Sequence, residues 1–304
     1  MKIGVPVGGF HEGNTAEYVL RALEELGHDA VLLDRAGLFS SARDTSFDLF
    51  LCVDSGETLS IAELAKIPGA LHRTAFWFID YRHNKHRPSR VPTDFENAKL
   101  LSEGGGWIFQ AQFEDVDDCA AAGIERCSWL PMAADPDIWS DAPAAVQKSY
   151  DVVFIGNIWD EGRLRAVQLL EASPYRAALL CNGRVWKERA AAALRGGRVG
   201  FNISSWYGTE HAFDLNMRFF ETLSCGVPVL TNDVPSLRRV LGELPDFVRS
   251  YASPDEILPK LRECLESAAF LGAGPAARQW ILSAHTYRHR MENALRVLTE
   301  RLSG

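Results

Sequence analysis

Asp214-Leu215-Asn216-Met217-Arg218-Phe219-Phe220-Glu221-Thr222-Leu223-Ser224-Cys225-Gly226-Val227-Pro228-Val229 reads as a helix that stops at a glycine and opens into a strand. Leu215, Phe219, Phe220 and Leu223 recur at helical spacing and form one apolar face. Asp214 is placed to cap the helix, Gly226 to end it, and Pro228 prevents it from resuming. Arg218 and Glu221 are three residues apart, so they neighbour each other on the opposite face. The pair reads either as an ordinary solvated contact or as one wall of a ligand site.

The same unit recurs on both sides. Upstream, Asp151 to Ile155 reads as a strand ending in Gly156-Asn157. Gly162 to Glu171 reads as a helix, Ala177 to Cys181 as a strand, Arg184 to Leu194 as a helix and Val199 to Ile203 as a strand. Downstream, helical stretches are expected around Pro254 to Ser267, Pro275 to Ser283 and Thr286 to Leu302. Before residue 150, Pro131, Pro136 and Pro143 punctuate a linker. Still earlier, Lys2 to Val7, Ala30 to Leu33, Phe47 to Val53, Thr74 to Ile79, Trp107 to Gln110 and Cys127 to Leu130 read as strands. Helices lie between them over Leu59 to Ile67, Thr93 to Ser102 and Phe113 to Ala122. The first helix has Asn14 as its cap, Glu17 three residues on, and Gly27 as its stop. Strands alternating with helices imply parallel sheets covered on both faces. The fold class is therefore α/β with two Rossmann-like domains, residues 1–135 and 136–304, and a ligand is expected in a cleft between them.

The 304 residues carry a net charge of -8, which argues against a protein that binds nucleic acid by neutralising phosphates. Six cysteines stand singly with no Cys-x-x-Cys pair, so no zinc site and no disulfide framework is implied. The chain opens directly into a strand, and no run is apolar for the length of a membrane span, so a cytoplasmic protein is expected.

The 214–229 segment resembles the donor-binding signature of GT-B glycosyltransferases of the group-1 kind, most closely their CgeB-like (spore maturation protein) branch. Leu215, Asn216, Arg218, Phe220, Glu221 and Gly226 stand where that pattern has Leu-Asn-x-Arg-x-Phe-Glu and a glycine stop. Asp151 to Gly156 with Arg163, Cys181-Asn182-Gly183-x-x-Trp186, and His285-Thr286-Tyr287-x-His289-Arg290 resemble three further motifs in the same order. The resemblance covers residues 127 to 295 and implies transfer of a sugar from a nucleotide-diphosphate sugar, a UDP-sugar foremost. It implies that Glu221 accepts hydrogen bonds from the ribose hydroxyls and that Arg218 and Arg163 neutralise the diphosphate. Asn216 would add helix-terminal donors, Gly156 and Asn157 a close backbone approach, and Trp186 a surface for the base. It also implies that the last helix packs back on the first domain, and that neither metal nor cofactor is required. The pattern departs from retaining members, which carry two glutamates eight positions apart; here that place holds Phe213. Retaining chemistry is therefore not carried over.

In the first domain, Gly8 and Gly9 open a loop after the first strand that the resemblance directs toward phosphate or acceptor. His11 in that loop and Asp80 after the fourth strand are the candidate general bases. An imidazole titrates near neutral pH and can take a hydroxyl proton; the plainer reading of His11 is an exposed loop residue. Tyr81 to Arg87 is a basic run that reads as solvated surface or as a contact to an anionic acceptor. Asp34 mimics the ribose acid of NAD enzymes, but their Gly-x-Gly-x-x-Gly is missing. Asp115 and Asp117 have metal-site spacing but fall within a helix. The acceptor is a glycan, a small molecule or a protein, with nucleic acid disfavoured by charge. Two other readings stay open, a sugar-nucleotide 2-epimerase and a non-catalytic nucleotide-sugar-binding protein.

Overall fold

A computed structural model describes residues 1–7, 14–44, 46–53, 61–79, 91–141, 147–158, 161–183, 187–203 and 215–302. The chain divides into two compact units. One comprises Met1–Pro131 with Tyr287–Gly304, the other Met132–Thr286.

The first unit holds β1 (Lys2–Pro6), α1 (Thr15–Glu25), β2 (Asp29–Leu33), α2 (Arg35–Arg43), β3 (Leu49–Val53), α3 (Ile61–Leu64), β4 (Thr74–Phe78), α4 (Val91–Glu103), β5 (Trp107–Gln110), α5 (Phe113–Ala121) and β6 (Cys127–Trp129). The sheet is parallel throughout, in the order β2-β1-β3-β4-β5-β6. β3 and β4 are buried along their whole length, as continuous apolar strands covered on both faces must be. The sequence reading passed over α2. Its cap is Asp34, whose carboxylate accepts from the Gly37 amide at 2.6 Å. The acid that mimics a dinucleotide ribose ligand is thus a helix cap. Asp115 and Asp117 lie within α5, Asp115 fully buried.

The second unit holds β7 (Tyr150–Gly156), α6 (Glu161–Glu171), β8 (Ala177–Cys181), α7 (Lys187–Arg195), β9 (Gly197–Asn202), α8 (Met217–Ser224), β10 (Val229–Asn232), α9 (Pro235–Leu241), β11 (Val248–Tyr251), α10 (Ile257–Glu266), α11 (Ala268–Gly272) and α12 (Gly274–Ala284). Its sheet is also parallel, in the order β11-β10-β9-β7-β8. Here α9 and β11 were not read from the sequence. The closing helix, α13 (Tyr287–Leu302), belongs to the first unit and packs on α1. Tyr287 stacks on Tyr18 at 5.1 Å between ring centroids, and Arg290 donates to the Pro131 carbonyl at 2.8 Å.

Candidate functional site

In both sheets the strand order reverses beside the first strand of the unit, between β1 and β3 and between β7 and β9. Chains leaving such a pair diverge to opposite faces, which opens a crevice at the carboxyl edge. The second unit's reversal point is where the sequence-predicted residues converge. Gly156 ends β7 and Asn157 follows it; Ile203 follows β9. Arg163, in the first turn of α6, donates from Nη1 to the Asn157 carbonyl at 2.8 Å and from Nη2 to the Ile203 carbonyl at 3.2 Å. Asn216 donates from Nδ2 to the same Ile203 carbonyl at 2.9 Å. Two strand ends and the start of α8 are thereby fixed in one polar knot. Next to it, Asn182 follows β8 in the left-handed region (φ 59°) and accepts from the Ile158 amide at 2.9 Å. Asparagine tolerates that conformation where most side chains do not.

The start of α8 differs from the sequence reading. The helix begins at Met217, and its cap is Asn216, whose side-chain oxygen accepts from the Phe219 amide at 3.4 Å. Asp214 lies outside the described residues. Gly226, with φ +67°, ends the helix in the left-handed form that glycine adopts without strain.

The solvated reading of Arg218 and Glu221 is overturned. Glu221 is only 1% exposed and Arg218 19%, with Arg218 Nη1 at 2.6 Å from Glu221 Oε2. The two atoms meet at short range without hydrogen-bond alignment, and both are sealed from solvent. The Arg218 guanidinium lies 4.8 Å over the ring of Trp139. Burial pushes the Glu221 carboxyl up to about 7, and Arg218 pulls it back only in part.

This shift has a sign that can be measured. A carboxyl raised in the folded state holds its proton where the unfolded chain has lost it, so stability falls as pH rises from about 4.5 to about 7. Below that window Glu221 adds no slope, and above it the loss is complete, at most about 3 kcal/mol. Glu221→Gln should lack this slope. Denaturant unfolding of both proteins at pH 4.5 and pH 8 reads the difference; parallel behaviour would mean that Glu221 titrates as an ordinary exposed acid.

Gly8, Gly9, His11, Asp80 and Trp186 lie outside the described residues. Of the predicted donor residues, Asn157, Arg163 and Asn216 are joined through the bonds above, and Gly156 precedes Asn157 at the end of β7. Arg218 and Glu221 form a second pair further along α8. Sequence reasoning missed Trp139, whose only signal was an aromatic residue in the proline-punctuated segment. Among the described residues no helix is long and apolar enough to cross a membrane, and no cluster of His, Cys, Asp or Glu could hold a metal ion.

The architecture is that of known glycosyltransferases. AviGT4, a glycosyltransferase involved in avilamycin A biosynthesis, superposes with a TM-score of 0.70 at 15% identity, over 100% of this chain and 99% of that one. Anabaena HepE, solved in complex with UDP-glucose, gives 0.67 at 11% identity over 100% and 99%. An α-glucosyltransferase solved with UDP and a DNA 13-mer containing a HMU base gives 0.67 at 9% identity over 98% and 99%. No curated protein sequence matches the chain. The family model described as glycosyl transferase-like matches residues 140–296. That match spans just over half of the 304 residues and takes in β7 to α12, so the protein belongs to the glycosyl transferase-like family and is a glycosyltransferase with the GT-B fold.

Proposed function

We propose that the enzyme moves a glycosyl group from a uridine diphosphate sugar to an acceptor hydroxyl, with the donor held by residues 136–304 and the acceptor by residues 1–135. The observation that carries this reading is the polar knot of Asn157, Arg163, Ile203 and Asn216 at the reversal point of the second sheet. A diphosphate suits this place. The backbone turns there at Gly156-Asn157, the start of α8 presents amides, and Arg163 places a guanidinium, a group suited to phosphate, between the ends of β7 and β9. Arg218 adds a second positive charge, and Glu221 accepts the two ribose hydroxyls. Trp186 is assigned to the base, and Gly8 and Gly9 to the phosphate or acceptor. The choice of uridine is supported by HepE and the α-glucosyltransferase, which bind UDP-glucose and UDP.

In the reaction the acceptor oxygen bonds to the anomeric carbon as the bond from that carbon to the diphosphate oxygen breaks. The hydroxyl proton passes to His11 or Asp80, and the arginines and helix amides, in place of a metal, stabilise the leaving diphosphate. A cytoplasmic location is supported by six cysteines of which none forms a disulfide, as in a reducing compartment. The acceptor is assigned to the glycans, small molecules or proteins, since a chain of charge -8 is poorly suited to a phosphate backbone.

A thermal-shift screen of nucleotide-diphosphate sugars tests the reading. A true donor at a hundred times its Kd adds about 2.7 kcal/mol of stability, and UDP alone should reproduce most of the shift. If millimolar concentrations of every nucleotide sugar leave the melting curve in place, the donor assignment fails.

A further inference from the structure

Trp139 has no part in the family signature, yet it is tied to α8 at both ends of the helix. It is 2% exposed. Its carbonyl accepts from Ser224 Oγ at 2.5 Å and from Arg278 Nη1 at 3.3 Å. Arg278 also donates to the Ser224 carbonyl at 2.6 Å and pairs with Asp141 at 3.0 Å. These bonds anchor the Trp139 backbone to the last turn of α8. From that anchor the indole ring reaches under Arg218 in the first turn. Its Nε1 is buried and makes no hydrogen bond among the described residues. A buried indole that leaves its one donor unused is not placed there for hydrogen bonding; what it offers is its ring face, and Arg218 occupies that face.

We propose that Trp139 is a positioning residue for donor binding: its ring holds the Arg218 guanidinium against the Glu221 carboxylate. The proposal rests on the reading of Glu221 as the ribose ligand. An arginine side chain has several rotamers, and most would carry its charge away from Glu221. The ring selects the one that keeps the pair together. Burial disfavours the Glu221 anion and Arg218 favours it, so a displaced Arg218 leaves more of the carboxyl protonated at neutral pH. A protonated carboxyl has one acceptor oxygen fewer for a diol. Of the other groups nearby, Cys225 is pushed up to about 12 by burial and stays neutral over this range. Arg195 and Arg278 are the other charged groups that act on Cys225. His285 stacks on Phe220, the neighbour of Glu221, with ring centroids 6.0 Å apart.

The test is donor affinity against pH, read by calorimetry with UDP as probe, for wild type, Trp139→Leu and Trp139→Phe. Trp139→Leu should weaken UDP binding about 3- to 30-fold at pH 7, the usual worth of a desolvated cation–ring contact. The loss should shrink toward pH 9, because the midpoint of the affinity profile moves upward. Trp139→Phe, which keeps a ring, should recover most of the affinity. A loss that is equal at pH 7 and pH 9, or that phenylalanine does not relieve, would mean that Trp139 merely supports the fold. A pH shift that disappears when His285→Gln is added would assign the titration to the imidazole and also overturn the proposal. Glu221→Gln is measured alongside. If it binds UDP as wild type does, the ribose reading itself has failed; if it binds weakly while Trp139→Leu does not, only the role of Trp139 has.

Discussion

One of the two variants His11→Ala and Asp80→Ala should lower turnover by about 10²- to 10⁴-fold, the usual worth of a positioned proton acceptor. UDP affinity should hardly change in either, because every residue assigned to the donor's diphosphate and ribose in the second unit is untouched. His11 follows β1 and Asp80 follows β4 in the chain, and these two strands are parallel, so their carboxyl ends share one edge of the first sheet. The pH profile separates the candidates. A histidine base gives a kcat that falls below about pH 6.5, whereas an aspartate base holds kcat to lower pH. Glu221 titrates in the same range, so kcat must be taken at saturating donor. There the base appears in kcat and Glu221 appears in the KM for donor. If both variants keep full turnover, another group activates the acceptor or the reaction needs no such base. The missing first glutamate at position 213 favours a base, since it removes one residue of the retaining pattern.

The alternating strands and helices were legible because the strands are short apolar runs, several of them closed by glycine, asparagine or proline. β7, β8 and the stop of α8 at Gly226 were read to within a residue or two. What was missed is short or diluted. α2 carries Gly37, Ser40 and Ser41, which break its apolar stripe, and β11 is only four residues long with arginine and serine at its centre. Too few periods exist in either for a pattern to stand out. α8 was recognised, but its cap was misplaced by two residues, because Asp214 and Asn216 are both good capping types. The burial of Glu221 could not be read at all. Helical periodicity puts Arg218 and Glu221 away from the apolar face, which ordinarily means solvent. What lies beneath Arg218 is Trp139, some eighty residues earlier in the chain, and a local pattern carries no trace of it. The bonds from Arg163 and Asn216 to one shared carbonyl were equally hidden, although both residues had been singled out for the donor.

Glu221→Ala should weaken UDP binding by about 10- to 150-fold, since each hydrogen bond to a charged group is worth about 1.5 to 3 kcal/mol. Its effect on folding should be the smaller of the two. Removing one member of a buried pair normally leaves an uncompensated charge at considerable cost. Here Arg218 keeps the Trp139 ring and is 19% exposed, so its charge is not stranded. The glutamate is itself held in a site that resists its ionisation, so at pH 8 its loss relieves part of that cost. Calorimetry at pH 8, where the carboxylate prevails, gives the largest contrast. Deoxygenated donors sharpen it further. A carboxylate that accepts from both ribose hydroxyls should discriminate UDP from its 2′-deoxy counterpart in the wild type, and Glu221→Ala should abolish that discrimination. Equal affinity of wild type and variant for UDP would remove the ribose from Glu221, and with it the assignment of α8 as the donor helix.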